Sequence, residues 1–293
     1  MKRCPNCAAT STAVDWTCQV CGYIPARVEG FLALAPELAQ GGAAFQPGAY
    51  AELAALESGN FWFRARNQLI VWALRRHFPQ MQRYLEIGCG TGYVLAGVAE
   101  AYPQSVLTGS EVFSVGLPFA ARRVAKAELL QMDARDIPYV EEFDVIGAFD
   151  VLEHIEEDEV VLAEMLRALR PGGGIILTVP QHPWLWSRQD EYACHVRRYR
   201  VGELRDKVQR AGFRVELGTS FVSLLLPAML VSRMVQRRTL PDSDPMAELR
   251  LPAWLNRTFE MVMGMERWLI QSGVRLPAGG SLLLIARKYK VIE

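Results

Sequence analysis

Residues 84–96 read YLEIGCGTGYVLA, and no other stretch constrains the fold so tightly. Tyr84, Leu85 and Ile87 make the apolar end of a buried strand. Gly88, Gly90 and Gly92 crowd into a turn, and a helix resumes at Tyr93. Strand, glycine turn and helix start together present free backbone N–H groups and the positive end of a helix dipole. The glycines let a ligand approach the backbone where a Cβ would collide. A nucleotide site is implied, and the spacing restricts which one. A dinucleotide fingerprint needs G-x-G-x-x-G, whose third glycine position is occupied here by Tyr93. No Gly-Lys-Ser/Thr follows, which excludes a phosphate-cradling P-loop.

Strand and helix patterns alternate from residue 83 onward. Strands are expected at 106–111, 128–132, 143–148, 174–179, 213–217 and 281–286, with helices between them, for example over 158–169. This alternation predicts an α/β fold, a doubly wound, Rossmann-like and mostly parallel sheet. Ligands of such sheets bind beyond the C-terminal strand ends. Glu111 closes the second strand about 20 residues past the glycines, where an acidic residue accepts both ribose hydroxyls of an adenosine. NAD enzymes use the same device, so Glu111 alone does not discriminate. Asp133 closes the third strand, and the fourth delivers Phe149-Asp150-Val151-Leu152-Glu153-His154.

With Glu86 two residues before the first glycine, E-x-G-x-G-x-G resembles motif I of the class I S-adenosylmethionine-dependent methyltransferases. The post-strand segment 149–154 resembles that of the broad group containing small-molecule and ubiquinone-biosynthesis enzymes. The resemblance covers roughly residues 60–287 as a fold, its specific motifs 84–180. It implies S-adenosylmethionine held by Glu86, Gly88, Cys89, Gly90, Gly92, Glu111, Val112, Asp133, Ala134 and Phe149, with Asp133 accepting from the adenine amino group. It also implies a last strand that runs antiparallel. A helix capped by Asn60 and stopped by Pro79 is expected before the first strand; in such enzymes it lies over the cofactor mouth, where Arg66 would meet the methionine carboxylate. The Asn/Asp-Pro-Pro-aromatic tetrapeptide of enzymes that methylate nucleobase amines is absent.

Four of the six cysteines lie in the first 21 residues, as Cys4-Pro-Asn-Cys7 and Cys18-Gln-Val-Cys21 separated by ten residues. Each pair suits a knuckle giving two thiolates to one tetrahedral zinc, and two knuckles make a closed, structural site. The segment resembles a zinc ribbon, with Trp16 packed on its hairpin. Metal binding would contribute on the order of 10 kcal/mol to folding so small a module. The expected organisation is a ribbon over 1–30, a linker with N-terminal helices over 31–80, and a methyltransferase domain over 81–293 with a helical insertion at about 221–275.

Candidates for the proton acceptor are few, because the chain has only four histidines. His77 ends the Asn60-capped helix and reads as structural. His154 follows the fourth strand. After the fifth strand comes a segment with Pro180-Gln181-His182-Pro183-Trp184-Leu185-Trp186, Asp190 and His195-Val196-Arg197-Arg198-Tyr199, which resembles the acceptor-side loop of the same group. Its aromatics and paired arginines suit an aromatic or anionic acceptor. The expected base is His195 steered by Asp190, or else His154. The acceptor class is a small molecule or a lipid-linked compound, methylated on oxygen or carbon.

Residues 221–238 read FVSLLLPAMLVSRMVQRR, apolar and then arginine-rich. They form half of a helical lid, or an in-plane helix touching a membrane from the cytoplasmic side. The N-terminus MKRCPNC has no apolar h-region, which points to a cytoplasmic protein. No run of 18 apolar residues predicts a spanning helix. Three other readings stand beside the leading one. An RNA methyltransferase gripping RNA with the ribbon is disfavoured by a net charge of zero. A non-catalytic cofactor binder and a dehydrogenase are the others, the last disfavoured by Tyr93.

Overall fold

A computed structural model describes residues 1–13, 15–40, 48–236 and 250–289. Its strands are β1 (Lys2–Arg3), β2 (Thr10–Ser11), β3 (Ala26–Val28), β4 (Phe31–Ala33), β5 (Arg83–Ile87), β6 (Val106–Glu111), β7 (Glu128–Gln131), β8 (Phe143–Phe149), β9 (Leu169–Pro180), β10 (Phe213–Phe221) and β11 (Ser281–Lys288). Its helices are α1 (Gly48–Leu56), α2 (Phe61–His77), α3 (Tyr93–Ala101), α4 (Leu117–Arg123), α5 (Asp158–Ala168), α6 (Arg188–Tyr192), α7 (Val201–Arg210), α8 (Leu226–Gln236) and α9 (Ala253–Gln271).

Nine strands form one sheet in the order β10-β11-β9-β8-β5-β6-β7-β4-β3. The run from β9 through β8, β5, β6 and β7 to β4 is parallel, and β11 lies antiparallel between β9 and β10. The strand order reverses between β5 and β8, because the chain runs through β5, β6 and β7 to one side and then crosses to β8, and a crevice opens beyond the C-terminal ends of these neighbours. Leu85, Ile146 and Ile175 pack toward α5 and α7; Tyr84, Val145 and Ile176 pack toward α2 and α3. Alternate residues of each central strand thus feed opposite cores, as expected of a sheet covered on both faces.

Several boundaries move outward from those read in the sequence. β9 begins at Leu169, ahead of the Pro171-Gly172-Gly173 breaker, because Leu169 pairs with Phe143 across a register shift. β10 continues to Phe221 because β11 pairs with it along its whole length. The apolar stretch expected to be helical from residue 221 therefore starts as strand and turn. Phe221 is fully buried, Val222 takes a φ of 58°, and α8 begins only at Leu226. Arg237 and Arg238, the end of that stretch, lie outside the described residues. Among the described residues no helix is long and apolar enough to cross a membrane.

The boundary placed at residue 30 falls inside a hairpin. β3 and β4 pair through a Glu29-Gly30 turn with positive φ at both residues, and β4 joins β7 at the sheet edge. That two-residue turn, ending in glycine between apolar residues, is a hairpin signal the sequence did carry. The cysteine-bearing segment docks on the loop before β8. Arg3 donates its N–H to the Pro138 carbonyl at 2.9 Å, and Trp16 meets Tyr139 edge-to-face with centroids 5.4 Å apart. Trp16 thus packs on the sheet domain as well as under Lys2, whose ammonium lies 4.8 Å from the indole centroid.

Candidate functional site

The glycine turn after β5 is built by close packing. A Cβ on Gly88 would lie 2.5 Å from Val151 Cγ2, and one on Gly92 would lie 2.8 Å from the Ala120 backbone; both residues have positive φ. Gly92 caps α3 from the left-handed region. Cys89 is buried, with its thiol turned toward Gly109, and burial pushes its pKa up.

Glu111, at the end of β6, ties the turn to the next strand. Its carboxylate accepts the Gly90 N–H at 2.9 Å, the Val112 N–H at 2.9 Å and the Phe113 N–H at 3.3 Å. Burial pushes its pKa up, while those N–H groups and the Tyr50 hydroxyl favour the anion. Tyr50, on α1, has no counterpart in the sequence reading. A second unread contact follows at the end of α1. Glu57 accepts from the Thr91 hydroxyl at 2.6 Å and pairs with Arg123, which also donates to the Thr91 carbonyl at 3.2 Å. Helix α1 is thereby fastened to the glycine turn from the side. Low apolar periodicity on α1 gave no hint of this.

Glu86 is buried beside the Tyr84 hydroxyl, which donates to it at 3.3 Å. Burial raises its pKa from 4.5 to about 8, against the pull of the Arg66 charge. Arg66, on α2, is itself buried. It pairs with Asp150 at 3.2 Å, donates to the Phe149 carbonyl at 3.4 Å and lies over the Trp62 ring. The expected helix over the strand ends is present. Asn60 caps it by accepting the Trp62 N–H at 2.8 Å, and His77 is structural, 3.3 Å from Glu216. Asp133 accepts from the backbone and side chain of Arg135, and Ala134 is buried. Glu86, Glu111, Asp133 and Phe149 stand at or just past the C-terminal ends of β5, β6, β7 and β8.

The other half of the crevice lies beyond β8 and β9. Asp150 holds a φ of 57° directly after β8, and its N–H donates to the Thr178 carbonyl at 2.8 Å. His182 and Cys194 also have positive φ. Three non-glycine residues of this loop cluster thus sit in a sparsely allowed backbone region. Asp190, 1% exposed, organises the segment. It accepts the Ser187 N–H at 2.8 Å, the Arg198 Nε–H at 2.7 Å and a bond from His195 Nδ1 at 2.9 Å. Burial would raise its pKa, but the His195 and Arg198 bonds outweigh it and hold it well below the usual carboxylate range.

His195 and His154 meet edge-to-face with centroids 4.7 Å apart. His154 keeps an open edge to solvent, yet the protein packed around its ring, together with the His195 charge, lowers its pKa to about 4. The paired arginines are not free for an anion. Arg198 is spent on Asp190, and Arg197 pairs with Asp158 at 2.8 Å alongside the Tyr199 hydroxyl and Lys207. Trp184 is exposed and stacked on His182. Glu153 is fully buried, and among the described residues neither of its carboxylate oxygens has a hydrogen-bond partner.

In the N-terminal segment, Cys4, Cys7, Cys18 and Cys21 bring their sulfurs within 4.8 Å of one another. The Cys4–Cys21 and Cys7–Cys18 separations are 3.7 and 3.6 Å. A tetrahedron with zinc–sulfur bonds of about 2.3 Å has edges of about 3.8 Å, so the set fits a zinc ion.

Sheet order, glycine turn and strand-end carboxylates together define a class I S-adenosylmethionine-dependent methyltransferase domain. A family model described as a methyltransferase domain matches residues 85–177. A probable S-adenosylmethionine-dependent methyltransferase of Mycolicibacterium smegmatis is 26% identical over 164 residues, 55% of this chain and 62% of that protein. A fatty-acid O-methyltransferase of the same organism is 34% identical over 100 residues, 33% of this chain and 36% of that protein. The matches thus span less than two thirds of either relative. Among solved structures, a phosphoethanolamine N-methyltransferase 2 of Haemonchus contortus in complex with S-adenosyl-L-methionine shares the fold. Its TM-score is 0.55 at 18% identity, covering 84% of this chain and 58% of that one.

Proposed function

We propose that this chain transfers the methyl group of S-adenosylmethionine to an oxygen or carbon atom of a small-molecule or lipid-linked acceptor. The observation that carries this reading is the imidazole of His195, oriented by buried Asp190 in the loop beyond β9, in a fold whose glycine turn and Glu111 stand at the same ends of the neighbouring strands. When bound, the sulfonium supplies an activated methyl. The bond to sulfur breaks with its electron pair staying on sulfur, and the methyl forms a bond to the acceptor atom. The protein's work is alignment and exclusion of water, which contributes about 7–11 kcal/mol in well-oriented systems. Gly88, Gly90 and Gly92 provide the close approach, Glu111 the ribose contact and Arg66 the charge facing a carboxylate. Between the two candidate bases His195 is favoured. Its Nδ1 is held by Asp190, which leaves Nε2 to take the acceptor proton, whereas His154 with a pKa near 4 is a weak base at neutral pH.

Oxygen as the receiving atom is supported by the O-methyltransferase among the relatives. A lipid-linked acceptor is supported by apolar surface on the inserted helices. Leu230 and Val231 of α8 and Trp254, Met261, Met265 and Trp268 of α9 are all exposed. Arg233 does not serve a membrane headgroup, since it reaches the Leu185 carbonyl and lies 3.7 Å from Asp190. We further propose that the four N-terminal cysteines hold one structural zinc, checked by metal analysis of the purified chain. The decisive assay incubates the protein with methyl-labelled S-adenosylmethionine and a panel of hydroxylated and lipid-linked acceptors. Label should enter product with wild type and not with His195→Ala, while both proteins bind cofactor equally. Unchanged turnover in His195→Ala removes it as the base.

A further inference from the structure

Glu153 is a buried carboxyl without a satisfying environment. It is 0% exposed, and neither carboxylate oxygen has a hydrogen-bond partner among the described residues. A buried carboxylate is tolerated when it is paired, bound to a metal or protonated. Two cations lie nearby, but each is committed elsewhere, Arg66 to Asp150 and Arg198 to Asp190. What faces Glu153 instead is a pair of imidazoles. His154 is its neighbour on the short turn Leu152–His154, and His195 Nε2 lies 3.9 Å from Glu153 Oε1. One ligand atom from each of the three residues falls within 4.8 Å of the others.

The backbone builds this proximity. The Val196 N–H donates to the Glu153 carbonyl at 2.8 Å, stitching the loop that carries His195 to the turn that carries the other two. Beyond it, Asp190 holds His195 Nδ1 at 2.9 Å and so directs the Nε2 lone pair inward. Metal-bound histidines ordinarily donate their second ring N–H to such a carboxylate.

We propose that Glu153, His154 and His195 form a binding site for one divalent first-row transition cation. One carboxylate and two imidazoles suit manganese, iron, cobalt or zinc and leave open positions for oxygen ligands. The donor set is distinct from the four-cysteine cluster, whose thiolates leave no open position. The site deepens the acceptor reading above and rests on it for its use. A hydroxyl bound to the cation has a lowered pKa and loses its proton to water, leaving an anionic oxygen to take the methyl. In that loaded state His195 is a ligand; with the cation absent, the same Nε2 lone pair is the base.

The test titrates the full-length, zinc-loaded chain with Co2+ and follows the absorption spectrum. Wild type should bind one Co2+ saturably, with weak visible bands and without the near-ultraviolet thiolate-to-cobalt transition that binding at the cysteines would give. Glu153→Gln and His154→Ala should each lose at least about tenfold in affinity, and Asp190→Asn about 10–100-fold through the released imidazole. His154 has an open edge, so its alanine variant keeps the test valid even if Glu153→Gln fails to fold; cofactor binding serves as the folding control. Wild type without saturable binding of this spectral type overturns the site, as does equal affinity in His154→Ala. Cobalt bound as described by a chain that never binds S-adenosylmethionine would instead leave the site standing and overturn the donor reading.

Discussion

Glu111, at the end of β6, and Asp190, in the first turn of α6, are both buried carboxylates, yet they are held in opposite ways. Glu111 is satisfied by backbone N–H groups of its own strand end and of the glycine turn. Asp190 is satisfied largely by side chains, His195 and Arg198, with Arg233 of α8 close by. The donor half of the crevice is therefore built on local chain geometry, with Tyr50, Glu57 and Arg123 bracing the turn from outside. The acceptor half is a network of charges drawn from several elements, with left-handed backbone at Asp150, His182 and Cys194. A donor site made of backbone suits one invariable ligand. An acceptor site made of side chains can be altered one residue at a time.

The largest effect should fall on the network. Asp190→Asn leaves the Arg198 charge buried without its partner, a change that costs about 3–5 kcal/mol in comparable sites. The expected result is a clear drop in melting temperature and in turnover, with the dissociation constant for S-adenosylmethionine little changed in the folded fraction. A matching loss of cofactor affinity would break the division into two halves. Glu111→Ala should do the reverse. It removes a charge-assisted contact worth about 1.5–3 kcal/mol, so cofactor affinity falls on the order of 10–100-fold by calorimetry. The cobalt site beyond β8 should be untouched by it.

The same division explains what was legible in the sequence. The sheet could be read because each strand carries its own apolar run and each strand end its own acidic or glycine signal. Glu86, Gly88, Gly90, Gly92, Glu111 and Asp133 all stand where the spacing places them. Tyr50, Glu57 and Arg123 were not legible, since their contacts with Glu111 and Thr91 join residues far apart in sequence without any periodic pattern. The string His195–Tyr199 stands out in the sequence, but its paired arginines suggest an anionic ligand that the fold does not leave them free to bind. Nothing local reveals that Asp158 and Asp190 claim them first. Glu153 is silent in the sequence for the related reason that an unpartnered carboxyl is a property of the fold alone.

A smaller effect separates electrostatics from geometry within the donor half. The folded pKa of Glu86 is raised from 4.5 to about 8 by burial, so the unfolded chain gives up this proton first as pH rises. The stability associated with it is fully present below pH 4.5 and is lost as pH climbs through about 8, at no more than about 1.4 kcal/mol per pH unit. Glu86→Gln should flatten that decline in denaturant melts taken between pH 5 and 8. An unaltered slope would mean that Glu86 is ionised in the folded chain and that Arg66, despite its pairing with Asp150, neutralises it.

The smallest expected change tests whether the two halves share a support. Helix α2 carries Arg66 to the strand ends, and Asn60 caps it by accepting the Trp62 N–H at 2.8 Å. Asn60→Ala removes that bond and should cost about 1 kcal/mol of stability. Arg66 lies nearly two turns further along, and its pairing with Asp150 spans both halves, because Asp150 follows β8 while Arg66 also faces Glu86. If the cap only holds the first turn, melting temperature falls slightly while cofactor affinity and turnover stay constant. If turnover and cofactor affinity fall together, α2 is the shared wall of the crevice, and the independence inferred from Glu111 and Asp190 holds only for the residues beyond its reach.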